Sequence, residues 1–335
     1  MKPKRTLALL LVLVLCLSLC ACGSNDTETG KPDSEQNQMT EPTPVEETSG
    51  EETVEEPAMA VADMLENALP IDSHKIYQEA FNNIVRVENE YDGKAVLFGN
   101  NVSEIQRDFI IVGDGNTRIK VYLETDDIAA LDNSQYVLVA GVVSNISVDN
   151  PAHMQFVTMD MPQGYLVQNS ETDNELLYNN AKKLFAEANY AGAIFILRQL
   201  DGYSDSHELL LEAVCAAAFE ATDGEDAWKS VFMKSSPVAL TGEEIEEIIV
   251  GDWYNSINSY YTYTETGEIK SSDGRNDGRV WFVENDRLIQ ETEYTRSEKV
   301  IYPFYKNAYV FCSPRAYNKV TDDVYTICFL NGPVE

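Results

Sequence analysis

The segment Arg118-Ile119-Lys120-Val121-Tyr122-Leu123-Glu124 alternates between polar and apolar side chains with a period of two. Successive side chains of a β-strand point to opposite faces of the sheet, so this pattern predicts a strand with one buried and one wet face. Ile119, Val121 and Leu123 then form the buried face.

Four more segments near this strand are short, β-branched and separated by turn residues, which is typical of strands. Gly113-Asp114-Gly115-Asn116, just before the first segment, is a hairpin signal. Apolar residues at helical spacing from Ile76 to Val87 predict a preceding helix, capped by Asp72 or Ser73. A helix followed by five strands predicts a small closed β-barrel over residues 66–168. The four further strands are Lys94–Val102, Asp108–Val112, Tyr136–Val143 and Met154–Met159.

The stretch Tyr91-Asp92-Gly93-Lys94-Ala95-Val96, the later Gly99 and the strand Val137–Gly141 resemble the OB-fold domain of the tRNA-anti-like family. The resemblance implies a barrel of a kind that often binds oligonucleotides or oligosaccharides. Binding single-stranded nucleic acid requires a basic groove with stacking aromatic rings. Acidic residues outnumber the scattered cations here, so nucleic acid is not a predicted partner.

Residues 169–236 predict a helical segment, because apolar side chains recur at helical spacing from Tyr178 to Tyr203. Asp205-Ser206 can cap a further helix that runs to about Thr222. The segment resembles a single tetratricopeptide-type helical hairpin, with Ala188 where that family prefers glycine at the turn. A concave binding groove needs at least three such repeats, so we expect a spacer packed between its neighbours.

Residues 237–335 predict a short helix, for which Thr241 and Glu244 form a capping box, and eight strands separated by turn residues. The stretches Gly251–Trp253, Thr266–Ile269 and Trp281–Val283 resemble the lipocalin-like domains of bacterial lipoproteins. The resemblance implies an antiparallel β-meander or a closed barrel, in which we expect Trp253 and Trp281 to be core residues. The predicted strands are Trp253-Tyr254, Tyr260–Thr264, Glu268–Lys270, Val280–Glu284, Leu288–Glu293, Lys299–Phe304, Ala308–Phe311 and Val324–Phe329.

The N-terminus predicts export. A basic start is followed by the apolar run Leu7–Leu19, which is too short to span a bilayer and therefore indicates a signal peptide over residues 1–21. Ala21-Cys22-Gly23 resembles the lipobox of bacterial lipoproteins. The resemblance implies cleavage before Cys22, a lipid on its thiol and anchoring to the outer face of the bacterial cell membrane. Residues 22–65, rich in Glu, Pro, Ser and Thr, predict a disordered acidic tether.

The formal net charge of −32 disfavours nucleic acid and anionic lipid headgroups as partners, because both are bound through Lys and Arg clusters. Cysteine is sparse, which argues against a disulfide scaffold. Cys312 and Cys328 fall in successive predicted strands, so a cross-strand disulfide and a pair of buried thiols both stay open.

No catalytic residue, metal site or cofactor is predicted. The three histidines, His74, His153 and His207, lie in unlike contexts, and no nucleophile, zinc or phosphate-loop motif is present. The segment 272–278 could offer oxygens to Ca²⁺ but lacks the full twelve-residue loop, so a solvated hairpin loop is favoured.

The sequence thus predicts a multidomain, mainly β chain with an α-helical middle: OB-like barrel, helical hairpin, and β-meander or lipocalin-like barrel. The predicted protein is a non-catalytic cell-envelope lipoprotein. It is expected to act as a binding or adaptor module for another envelope protein or a wall glycan. The alternatives are a small-ligand or cation sensor that uses the C-terminal barrel and, behind it, a hydrolase. The outward-facing residues that we expect to contribute to binding are Arg118, Lys120 and Tyr122.

Lipidation predicts a defined mature N-terminus. Mass spectrometry of the N-terminal peptide from the exporting cell should find Cys22 as its first residue, carrying a diacylglyceryl group. An unmodified peptide, or one cut at another bond, would contradict the prediction.

Overall fold

The structure is a computed structural model that describes residues 59–149, 156–256, 259–274, 278–313 and 324–334. In these ranges a mixed eight-stranded sheet, a group of helices and a closed eight-stranded antiparallel barrel follow one another along the chain. This arrangement confirms the prediction of a multidomain, mainly β chain with a helical middle. None of the described helices is both long and apolar enough to cross a membrane.

The mixed sheet contains all five strands that the sequence predicts before residue 168, in the order β6-β7-β4-β3-β2-β5-β8, with β1 beside β2. Strands β4 and β7 pair in parallel, as do β1 and β2. The sequence predicts a closed barrel here. Only Val143 separates β5 from β6 along the chain, and β5 pairs with β2 while β6 pairs with β7. One nearly continuous stretch of chain therefore pairs with both ends of the β7-β4-β3-β2 order, as closure of such a barrel requires. The elements are α1 (Val61–Asn67), β1 (Leu69–Pro70), α2 (Ser73–Tyr91), β2 (Ala95–Ile105), β3 (Phe109–Gly113), β4 (Thr117–Tyr122), α3 (Thr125–Ala129), β5 (Tyr136–Val142), β6 (Ser144–Asp149), β7 (Phe156–Met161) and β8 (Gly164–Leu166).

Local hydrogen bonds fix the start of α2 against the predicted hairpin. Asp72 caps the helix, accepting from the backbone N–H of Lys75 at 2.8 Å. In the hairpin, the Asp114 carboxylate accepts from the backbone N–H of Thr117 at 2.9 Å. The Thr117 hydroxyl then donates to the carbonyl of Ser73 at 2.8 Å. Helix and hairpin are therefore joined at one point, and the apolar face of α2 lies on the sheet core.

The middle of the chain forms four helices: α4 (Glu171–Ala186), α5 (Tyr190–Leu197), α6 (Ser206–Glu220) and α7 (Ala227–Lys234). The predicted hairpin corresponds to α4 and α5 and the further helix to α6, whereas the sequence pattern missed α7. Asp205 is the N-cap residue of α6, as predicted, but its side chain does not cap the helix. The Asp205 carboxylate makes no cap hydrogen bond and instead accepts from the hydroxyls of Tyr178 and Ser204.

Helix α1 corrects the predicted end of the tether. Residues up to 65 were assigned to it, but α1 packs on α4, and its Met64 and Leu65 are buried in the helical core. Asn180 of α4 holds the end of α1 by donating from its side-chain amide to the carbonyls of Leu65 and Ala68, each at 2.9 Å. The folded chain thus includes the segment from Val61 onward. Residues 1–58, with the predicted signal peptide and most of the tether, lie outside the described residues.

The C-terminal barrel contains all eight predicted strands and closes in the order β10-β11-β12-β13-β14-β15-β16-β9. Closure decides between the two predicted alternatives, meander and barrel. The predicted capping box is present, with the Thr241 backbone N–H donating to Glu244 at 2.7 Å. Trp253 is fully buried in the barrel core and Trp281 packs against it, as predicted. The elements are α8 (Gly242–Ile248), β9 (Gly251–Ser256), β10 (Ser259–Tyr263), β11 (Glu268–Ser271), β12 (Arg279–Glu284), β13 (Arg287–Glu291), β14 (Arg296–Tyr305), β15 (Ala308–Ser313) and β16 (Val324–Leu330).

Aromatic side chains join the helices to the outside of this barrel. The ring of Phe232 in α7 lies 5.6 Å from that of Tyr302, 6.1 Å from that of Phe304 and 5.8 Å from that of Tyr325. Phe219 of α6 meets Phe329 edge to face at 5.3 Å. One side of the barrel is therefore covered by helices.

Ala188, in the turn between α4 and α5, has a φ of +58°, a backbone conformation that favours glycine. We expect Ala188→Gly to raise the free energy of unfolding by about 1 kcal/mol, because it relieves this left-handed strain. Chemical denaturation measures the change. Ala186→Gly, at the end of α4, is the matched control and should give no gain. An Ala188→Gly variant no more stable than the original chain would contradict the expectation.

Candidate functional site

The outward side chains of Phe109, Arg118, Lys120 and Tyr122 form what we call the β3–β4 face. Burial alternates along β4 as the sequence predicts, with Arg118 exposed and Lys120 and Tyr122 partly exposed. Strand pairing places Phe109 of β3 directly opposite Tyr122. The structure therefore brings the three predicted residues together on one surface and adds an aromatic ring to them.

Cations and aromatic rings contact each other closely on the β3–β4 face. The rings of Phe109 and Tyr122 lie 5.6 Å apart, and the Lys120 ammonium lies 4.1 Å and 4.5 Å from their respective centroids. Lys120 also donates a hydrogen bond to the Tyr122 hydroxyl, which is the main reason its pKa is raised. The cation is therefore held in position over the two rings.

The face extends onto β7, where Phe156 packs beneath Arg118 with 4.2 Å between the guanidinium carbon and the ring centroid. Sequence reasoning missed both Phe109 and Phe156 as members of this surface. In the structure their parity within β3 and β7 places them on the outward face, and only the pairing of β4 with β3 and β7 brings them beside Arg118 and Lys120. Aromatic rings and held cations suit the binding of flat apolar faces and acidic groups.

A cleft of about 670 Å³ lies between the sheet and the helices. Arg198 in its wall donates to the carbonyl of Ala227 at 3.1 Å and to the hydroxyl of Ser230 at 2.7 Å, and burial lowers the pKa of its guanidinium. At the rim, Lys75 and Asp223 form an ion pair at 3.1 Å. The charged groups of this cleft thus already bind other parts of the chain.

The histidines lie in different elements. His74 is in the first turn of α2 and His207 in the first turn of α6, while His153 lies outside the described residues. Ser206, next to His207, is buried and donates its hydroxyl hydrogen to the carbonyl of Leu200 at 2.7 Å. That hydroxyl therefore serves to fix the loop before α6.

In the part of the chain that the structure describes, no three His, Cys, Asp or Glu side chains lie together as ligands for a metal ion. Residues 275–277, in the loop considered for Ca²⁺, lie outside the described residues, so the interpretation of that loop stays a prediction.

Cys312 and Cys328 are buried thiols and not a disulfide. The register explains why, since Cys312 pairs with Tyr325 and Cys328 pairs with Tyr309. The side chains also point to opposite faces of the sheet. Cys328 lies in the barrel core, whereas Cys312 shares its face with Val310, which packs against the helices. Of the two alternatives from the sequence, the structure has the pair of thiols.

Three buried thiols, Cys215, Cys312 and Cys328, should resist alkylation in the folded protein. Burial raises the pKa of Cys215 and of Cys328 to about 12, so the reactive thiolate is scarce at neutral pH. We expect little labelling of the native chain and full labelling of all three after denaturation without reductant, measured by intact mass. Labelling of Cys312 and Cys328 only after reduction would instead indicate a disulfide.

The sequence matches no protein-family model and no curated protein. Among solved structures, an OBody bound to hen egg-white lysozyme is 18% identical, with a TM-score of 0.19, and the match covers 24% of this chain and 88% of that one. The enzymatic component C2-I of the C2-toxin from Clostridium botulinum is 11% identical, with a TM-score of 0.18, over 74% of this chain and 68% of that chain. At these scores neither likeness bears on fold or function.

Proposed function

We propose that the protein is an exported bacterial lipoprotein, held through Cys22 to the outer face of the cell membrane, that binds another envelope protein or a wall glycan without catalysing a reaction. The observation that carries the proposal is the β3–β4 face, where two cations and the rings of Phe109 and Tyr122 form one accessible surface. The sheet with α2 is proposed to be an OB-like domain and the barrel a lipocalin-like one.

The composition of the β3–β4 face supports a binding role. Aromatic rings and Arg are enriched where proteins bind partners, because they bury much area at little conformational cost. Lys120 and Tyr122 already fix each other through their hydrogen bond, so little side-chain entropy remains to be lost on binding. The net charge of −32 disfavours nucleic acid as the occupant of this face.

A photo-crosslinking amino acid in place of Tyr122, in cells that export the lipidated chain, tests the proposal. We expect one partner, a protein or a glycan fragment, to be attached at this position and identified by mass spectrometry. Lys120→Ala in the same chain should reduce the yield severalfold, because it removes the cation held over the rings.

The control places the same crosslinker at Tyr294, which is 85% exposed in the turn between β13 and β14 of the C-terminal barrel and is not part of the β3–β4 face. Equal yields of one product at the two positions, or no product at Tyr122, would refute a binding role for the face. A protein product would identify an adaptor, and a glycan product would identify a wall-binding protein.

A further inference from the structure

Lys299 occupies an unusual place for a lysine, the interior of the C-terminal barrel. It lies on β14 two residues before Ile301, a fully buried core residue, so both side chains face inward. Its ammonium lies 5.5 Å from the ring centroid of Phe311, another core residue. Burial lowers the pKa of Lys299, as expected for a cation removed from water.

No carboxylate among the described residues pairs with this cation. The ion pairs of the neighbouring strands lie on the outside of the barrel, where Arg287 meets Glu298 at 2.8 Å and Arg296 contacts Glu284. The Cys328 thiol is close enough to influence Lys299, but burial raises its pKa to about 12 and keeps it neutral. The interior therefore supplies no compensating negative charge from the described part of the chain.

Arg279 adds a second cation at the same place. Its positive charge contributes to lowering the pKa of Lys299, and it makes no ion pair among the described residues. Together with Lys299 it lines a cavity of about 60 Å³, several times the 10–15 Å³ that one water molecule needs. The full lining is Tyr261, Tyr263, Ile269, Arg279, Gln290 and Lys299.

Two neutral side chains of the cavity, Gln290 and Tyr263, are arranged as hydrogen-bond donors. The Gln290 amide donates to the Tyr263 hydroxyl, which leaves the hydrogen of that hydroxyl available to a further acceptor. Burial raises the pKa of Tyr263, so this hydrogen stays in place at neutral pH. On its other side, the Gln290 carbonyl oxygen accepts from the Ser297 hydroxyl at 3.4 Å, which fixes the orientation of the amide.

We propose that this cavity is a binding site for the acidic group of a small organic ligand, a carboxylate or a phosphate, with Lys299 and Arg279 as its counterions and Tyr263 as a hydrogen-bond donor. An unpaired cation is costly to bury, and a bound anion would offset that cost. Two cations repel a third, so the site does not suit the cation considered as an alternative from the sequence. The inference concerns the barrel interior and is independent of the β3–β4 face.

Thermal unfolding of the full chain tests the proposal, with acetate and inorganic phosphate as probes and chloride at equal ionic strength as the reference. A ligand that binds only the folded state raises the unfolding midpoint in a concentration-dependent way. We expect one or both probes to raise the midpoint above the chloride reference. The probe that does so identifies the carboxylate or the phosphate as the preferred group.

Lys299→Met should weaken probe binding at least tenfold, while the unliganded variant should unfold at the same or a higher temperature because an unpaired buried cation is gone. Lys270→Met, on the exposed outer face of β11, is the matched control and should keep the full response. If Lys299→Met fails to fold, Arg279→Gln carries the same test. The proposal would be overturned if the probe still raised the unfolding midpoint of the Lys299→Met or Arg279→Gln variant to the full extent. It would also be overturned if neither probe raised the midpoint of the original chain.

Discussion

The structure depends on one apolar core, in which helices α4 to α7 lie between α1 and the outer side of the C-terminal barrel. Phe219 and Phe232 supply the aromatic contacts on the barrel side. Because of this core, Val310 and Phe329 are fully buried although they point outward from the barrel. Such large side chains on an uncovered barrel would leave an apolar patch in water. The helices are therefore part of the hydrophobic protection of the barrel, and a cut between the two would expose it.

Local patterns were enough to predict most strands. Period-two alternation and turn residues are properties of neighbouring residues, and every predicted strand of the barrel is present. The sequence pattern missed the short helices α1, α3 and α7. The apolar residues of α1 and α7 are buried only through contacts with partners that lie far away in the sequence. Leu65 packs into a core with helices more than a hundred residues later, and Phe232 packs against the rings of β14 and β16. Strands β6 and β8 were missed for the same reason, since their pairing with β7 and β5 is not visible in their own residues.

The residues of the candidate sites differ in the same way, since some follow from local alternation and others only from long-range pairing. Alternation identified Arg118, Lys120 and Tyr122 as one outward face, whereas Phe156 joined them only through the long-range parallel pairing of β4 with β7. The sequence pattern did not indicate an inward-facing Lys299, because a lysine in a half-exposed strand is ordinarily expected to face water. Which parity of β14 faces inward is decided by the barrel as a whole. The sequence could therefore suggest a ligand cavity in the barrel but not the charge of its walls.

In a chain with a net charge of −32, a cation that has no carboxylate partner is informative about binding. Carboxylates are so abundant that a surface cation readily finds one, as Arg287 and Arg296 do on the outside of the barrel. At long range the same excess of negative charge repels an acidic ligand, an effect that salt weakens over about 10 Å. A site that holds cations in a region of low dielectric constant, close to the bound group, can outweigh that repulsion. The interior position of Lys299 meets this condition, because there the attraction acts at contact distance and away from the acidic surface.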